Sequence, residues 1–127
     1  MLRLLTASGQ TASGNLVQPN AGYKWRILAA IISIDTSSTT GTRTAQLGIV
    51  LGSSSRPYPV LVSMSTSTVS GTVTVTGGPN APNASATNTD WRVYPEMRAA
   101  DVVNLSVSLI TGDTVSYYLL VDEVLDE

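Results

Sequence analysis

Along most of the chain apolar and polar residues alternate. One stretch, Tyr23 to Ile34 (YKWRILAAIISI), becomes a nearly unbroken apolar run. Every second residue gives Tyr23, Trp25, Ile27, Ala29, Ile31 and Ser33; the other set is Lys24, Arg26, Leu28, Ala30, Ile32 and Ile34. The first half therefore separates aromatic and aliphatic side chains from two cations, and from Ile27 onward both sets are apolar. That pattern predicts a central strand, half exposed where it begins and covered on both faces later. A helix is disfavoured by the density of β-branched residues. Turn formers also bound the run, Pro19-Asn20-Ala21-Gly22 before it and Asp35 to Gly41 after it. Burying Trp25, Ile27, Leu28, Ile31 and Ile32 is worth about 1.5–3 kcal/mol each, so the core is expected to form around this strand.

The remaining segments fall on either side of it. Met1 to Ala7 reads as a short strand or arm, and Ser8 to Gly14 as a small polar link. Asn15 to Gln18 is a short strand. Thr42 to Leu51 alternates, with Ala45, Leu47, Ile49 and Leu51 inward. Val60 to Ser67 carries Val60, Val62 and Met64 on one face. Thr68 to Thr76 alternates again, either as a second strand or as the continuation of one long strand bent near Val69 to Gly71. Gly77 to Thr89 is a long loop without charge, and loops of that length are usually functional or mobile. Asp90 to Tyr94 is a short strand and Glu96 to Asp101 a turn-like connection. Val102 to Thr111 and Thr114 to Leu125, joined by Gly112-Asp113, read as a hairpin.

About eight strands at this spacing, with no helical crossover segment, predict an all-β fold. Each apolar face needs cover, so the expectation is a two-sheet antiparallel β-sandwich of jelly-roll type. An immunoglobulin-like sandwich is the alternative, although it usually shows a Cys…Trp…Cys spacing that is absent here. The expected organisation is an arm or short strand over residues 1–14 and one sandwich domain over 15–127.

Composition narrows the chemistry. The chain of 127 residues has no Cys and no His, and Lys24 is its single lysine. Disulfides and thiolate chemistry are thereby excluded, and the commonest general base and metal ligand is missing. A net charge of −2 argues against a nucleic-acid surface. No apolar run is long enough to span a bilayer as a helix, and MLRLLTASG lacks the apolar core of a secretory signal. Ser and Thr make up a quarter of the residues and suit weakly charged β surfaces. So few surface charges suggest a chain that hides its surface in an assembly.

Candidate chemistry is thin. Asp90, Asp101 and Asp113 sit at strand starts or turns, where Asp caps its own backbone; a Ca²⁺ site or an acid/base pair is the sharper alternative. Asp122, Glu123, Asp126 and Glu127 make an acidic end, either a solvated tail or a contact for a basic partner. Any Ser or Thr nucleophile would have to rely on Lys24, and no motif supports that pair. Trp91 and Tyr94 suit either the core or a sugar-stacking platform. The sequons at Asn83 and Asn104 matter only in a secreted eukaryotic protein. The residues therefore suggest no catalytic group, no metal site and no cofactor.

The segment GYKWRILAAIISI after Pro-Asn-Ala-Gly fits a first-strand pattern G-(K/Y)-x-W-x-(I/V)-L. The segment GTRTAQLGIVLG follows a Thr/Ser loop. A Ser/Thr-rich middle comes next, then VYPEMRAADVVNLSVSL and TGDTVSYYLLVDEVL. With these features the chain resembles small all-β virion proteins of tailed phages and related viruses. In them a (L/Y)-P-x-x-x-L-x-x-G-D segment precedes the last hairpin; here Arg98 and Ala99-Ala100 stand where its Leu and Gly are expected. The resemblance implies a non-enzymatic virion subunit assembled in the host cytoplasm. The preferred form is a capsid decoration protein bound to the major capsid protein and to copies of itself, a trimer suiting a three-fold junction. A glycan- or receptor-binding tail or fibre module and a small major capsid protein are the alternatives. The expected contact residues are Leu2, Leu4 and Leu5 in the arm, Asp35 and Thr39 in one loop, and Asn80, Asn83 and Asn88 in the other. No nucleic acid and no membrane are expected as partners.

Overall fold

The computed structural model describes residues 1–52, 60–78, 89–90 and 94–127. In it Tyr23 to Asp35 is a 13-residue strand at the centre of the larger sheet, and the other elements can be placed by how they pair with it. Among the described residues there are ten strands: β1 (Leu2–Gln10), β2 (Gly14–Val17), β3 (Tyr23–Asp35), β4 (Arg43–Val50), β5 (Val60–Thr66), β6 (Thr72–Gly78), β7 (Thr89–Asp90), β8 (Glu96–Arg98), β9 (Val102–Ser108) and β10 (Thr114–Leu125). One sheet runs β1-β10-β3-β6-β7, with β8 also on β3; the other runs β2-β9-β4-β5. Every pairing is antiparallel except the short parallel contact of β6 with β7. The fold is an all-β sandwich of two antiparallel sheets.

The pairings nest. β1 pairs β10, β2 pairs β9, β3 pairs β6 and β4 pairs β5. The first and third of these pairs lie in one sheet, the second and fourth in the other. The chain thus behaves as one long ribbon folded back on itself and wrapped so that successive pairs alternate between layers. The core fills the space between, with Trp25, Ile27, Ile32 and Ile34 of β3 facing Leu47 and Ile49 of β4, Val62 of β5 and Leu105 of β9.

Several expectations change at this level. The inward set on β3 is not one unbroken parity. Trp25 and Ile27 face the core, then Ala30, Ile32 and Ile34 do, because the β10 register slips between Leu120 and Val121 and leaves Leu28 as the extra residue of a bulge. Ala29 and Ile31 consequently lie half-buried on the outer face. A similar slip on β5 buries Leu61 and turns Val60 outward. Of the two readings of Val60 to Thr76, two strands is the one found, with the second starting later than expected: residues 67–71 form a turn, and β6 begins at Thr72 in the other sheet.

The segment from Val102 to Leu125 is not a hairpin. β9 and β10 lie in different sheets, and the turn at Gly112 (φ +95°) crosses between layers. Alternation with an intervening turn looks the same in both cases, and only the long-range partners distinguish them. Glu96–Arg98, expected as a connection, is a strand against Lys24–Arg26 that buries Met97. Leu2 to Ala7, of the expected segment Met1 to Ala7, lies within a nine-residue strand that continues to Gln10 and forms one edge of the larger sheet.

Candidate functional site

The β3–β4, β5–β6 and β9–β10 connections meet at one end of the sandwich. Residues 36–42 bring Thr, Ser and Gly, residues 67–71 bring Ser67, Thr68, Val69, Ser70 and Gly71, and residues 109–113 complete the group. Beneath them sits Arg43, the first residue of β4 and fully buried. It shares the inward parity of Ala45, Leu47 and Ile49, so its guanidinium is carried under the loops instead of into solvent.

The Arg43 Nε donates to Asp113 Oδ2 at 2.9 Å, and Nη2 reaches Asp113 Oδ1 at 3.3 Å. Nη1 donates to the carbonyls of Gly41 (2.9 Å) and Thr68 (3.1 Å). Nη2 donates to the carbonyls of Thr39 (2.6 Å) and Ser37 (3.3 Å) and to Ser37 Oγ (3.2 Å). Asp113 also accepts the backbone N–H of Ser37 at 2.7 Å and of Ile110 at 2.8 Å. One planar cation and one carboxylate therefore fix three connections, with bidentate geometry that lysine could not reproduce. Two further bonds close the β3–β4 connection against the β5–β6 turn. Thr36 N–H donates to Gly71 O at 2.8 Å, and Ser70 N–H donates to Ser37 O at 2.9 Å. Ser70 holds a φ of +50° to do so.

The Arg43 bond is the main reason the Asp113 carboxyl is held well below the usual carboxylate range; burial opposes it, and the donors on Ser37 and Ile110 add to it. Such a carboxylate is locked in its ionised form and bound on both oxygens. It is a structural pin, and as the expected turn cap it serves Ile110 while holding the β3–β4 connection directly and the β5–β6 turn through Arg43. Asp101 caps in the same manner, accepting from Arg98 N–H and Gly52 N–H at 2.8 Å each.

The opposite end is built differently. Arg3 Nη1 and Trp25 Nε1 both donate to Glu123 Oε2 at 2.8 Å, and the Arg3 guanidinium lies 5.9 Å from the Trp25 ring centroid. These partners lower the Glu123 pKa, the Trp25 bond first and Arg3 after the opposing effect of burial. Asp122 meets the N-terminal ammonium at 3.1 Å and Arg26 at 3.8 Å, and Asp126 meets Arg98 at 3.8 Å. Asp122, Glu123 and Asp126 of the acidic end thus have cationic partners within the chain.

The expected contact residues do not form one site. Leu2 and Leu4 share the outer face of the larger sheet, 65 % and 61 % exposed, while Leu5 turns inward against the core. Asp35 and Thr39 lie at the loop end. Asp35 Oδ1 accepts Thr72 Oγ1 at 2.6 Å, and the Thr39 side chain is exposed above Arg43. Asn80, Asn83 and Asn88 lie outside the described residues, as does Trp91. Trp25 is buried and bonded to Glu123, so it offers no stacking platform; Tyr94 is exposed, with Arg26 5.4 Å from its ring centroid. The outer face of the smaller sheet holds a shallow depression of about 680 Å³, with polar lining from Ser13, Thr44, Gln46, Ser63 and Ser106. Hydroxyl and amide groups there can exchange hydrogen bonds but supply no charge. Among the described residues no group of three or more His, Cys, Asp or Glu is placed to hold a metal ion, and no helix is long and apolar enough to cross a membrane.

Sequence reasoning missed Arg43. The signal was its parity: it falls in register with Ala45, Leu47 and Ile49, and an arginine at a core position needs a buried anion, which Asp113 supplies. No protein-family model matches the chain, nor does any curated protein or any solved structure.

Proposed function

We propose that the chain is a virion structural protein that acts by adhesion, as a capsid decoration subunit of jelly-roll type that seats on the major capsid protein and on copies of itself. The nested strand pairing, alternating between two sheets, supports the jelly-roll reading. The observation that carries the functional reading is the loop end. Its surface is mostly Ser, Thr and Gly, with Val69 exposed and Asp35 as its exposed charge among the described residues, yet its backbone is fixed from below by Arg43 and Asp113. A fixed, hydroxyl-rich surface of low charge loses little conformational entropy on docking. It stabilises an assembled shell by mass action, because it binds the assembled state better than the free subunits.

The test is co-sedimentation of the purified chain with shells assembled from the major capsid protein encoded nearest to its gene, together with the shells' melting temperature. Binding that raises the melting temperature is expected. A chain that stays in the supernatant and leaves the shell's melting unchanged contradicts the proposal. The second reading, a tail or fibre module that holds a neutral glycan, draws on the hydroxyl- and amide-lined depression of the smaller sheet. Binding on an array of neutral oligosaccharides, with no capsid binding, would favour it.

A further inference from the structure

Strand β1 is the open edge of the larger sheet, and the geometry of its pairing shows which backbone groups it leaves free. The Met1 amine donates to Glu123 O at 2.7 Å and Glu123 N–H donates to Met1 O at 2.8 Å. Met1 and Glu123 are therefore a mutually bonded antiparallel pair, and the register carries that role to Arg3/Val121, Leu5/Leu119 and Ala7/Tyr117. The N–H and C=O groups of Leu2, Leu4 and Thr6 point the other way, out of the sheet. This edge lacks the usual protection. Between Leu2 and Ala7 there is no Pro and no Lys, and the one charge, Arg3, turns back to Glu123. The bulge that ends the regular stretch lies beyond it, between Ala7 and Gln10, with Gly9 at φ +71°.

The apolar side chains increase toward the same edge. On the outer face Leu120 is half-buried, Tyr118 is 44 % exposed, Leu4 61 % and Leu2 65 %. Leu4 sits directly beside Leu120 and Thr6 beside Tyr118. A row that becomes more exposed up to the boundary of the sheet, and stops there, has the form of one half of a symmetric patch.

We infer that β1 pairs antiparallel with β1 of a second copy across a two-fold axis, joining the two larger sheets into one. Free strand-edge donors and acceptors call for another strand. The edge's uncharged backbone stretch offers nothing to attract a charged foreign segment, whereas an identical strand matches it in charge and hydropathy. The side chains select the register. Leu2, Leu4 and Thr6 must face even-numbered partners to use their free groups. Placing Leu2 opposite Leu4 of the other copy would set Arg3 against Arg3, and like charges directly opposite are destabilising. Placing Leu4 opposite Leu4 puts Arg3 against Leu5, bonds Leu2 to Thr6 on both sides, and stays clear of the bulge. The axis then passes beside Leu4, and the apolar row continues from Tyr118 and Leu120 of one copy through both Leu4 side chains to the other.

The test uses the whole chain and is independent of capsid binding. Light scattering coupled to size exclusion should give the mass of a dimer. Leu4→Pro removes one outward N–H and none of the bonds to β10, and Leu4→Lys places a charge on the axis. Both should give monomers with the β-sheet circular dichroism of the unsubstituted chain. Leu5→Pro, whose N–H faces β10, should instead weaken the fold itself. A monomer at every accessible concentration overturns the inference, as does a trimer, or a dimer that survives both Leu4 substitutions. A trimer that co-sediments with shells would overturn this pairing and leave the proposed function standing; a dimer that ignores shells would do the reverse.

Discussion

The two ends of the sandwich both use ion pairs, and use them in opposite ways. At the loop end one pair, Arg43–Asp113, is fully buried, and its spare donors and acceptors hold the backbone of three connections. At the other end Arg26–Asp122 and Arg98–Asp126 are longer, at 3.8 Å, with exposed guanidiniums. The first arrangement concentrates the anchoring of a whole surface in two side chains. The second spreads small contributions over many. Placing a charge out of water is tolerable only where every remaining hydrogen-bonding position is filled, and the Arg43 site meets that condition. An end built this way is rigid but vulnerable to one substitution, whereas at the charged end no single change should cost as much, and the one intermediate loss should be at Glu123, which gathers Arg3 and Trp25.

The largest expected effect is therefore at Arg43. Arg43→Met leaves the Asp113 carboxylate buried without its cation and should cost about 3–5 kcal/mol, read as a lowered urea midpoint. Adding Asp113→Leu to it should recover part of that loss, since the stranded charge is then gone. Next is Glu123→Gln. It weakens the acceptor for Trp25 and Arg3 at a site only 10 % exposed on the carboxylate side, and should cost about 1–2 kcal/mol. Smallest is Arg98→Ala. Its guanidinium is 72 % exposed and its partner 3.8 Å away, so the change should stay within about 0.5 kcal/mol and vanish in high salt.

Acid sharpens the same comparison. Asp113 has a folded pKa below its unfolded one, so its contribution is fully present above the unfolded value of about 3.9 and is lost as pH falls through the folded value. Stability should hold from neutrality to about pH 4 as far as this group is concerned and fall below that. In Asp113→Asn the acid limb should be shallower, with lower stability at neutral pH. Glu123, also depressed, adds a smaller loss in the same direction. Chemical denaturation followed across the acid range measures both.

What the sequence reveals here follows from how local each signal is. The sandwich and most strand positions were legible because period-two alternation is written in consecutive residues, as at Ala45, Leu47 and Ile49. The bulge at Leu28 was not, since Leu, Ala and Ile on both parities of β3 fit either phase and the choice is made by β10. The partner sheets of β9 and β10 were hidden for the same reason: Gly112-Asp113 suits a hairpin and a crossing between layers alike. β8 is three residues long, too short for any period. The loop end was half legible. Its hydroxyl content and Asp113 were visible, but the role of Arg43 depends on residues up to 70 positions away.

The account depends most on the claim that the end anchored by Arg43 and Asp113 is the surface that seats on a shell. The direct measurement is the affinity for assembled capsids of the unsubstituted chain, Thr39→Lys and Arg98→Ala, with folding of each checked by its urea midpoint. The account predicts that Thr39→Lys keeps its fold and loses shell binding at least about tenfold, equivalent to 1.4 kcal/mol, while Arg98→Ala binds unchanged. Full binding by Thr39→Lys, or loss confined to Arg98→Ala, would contradict it.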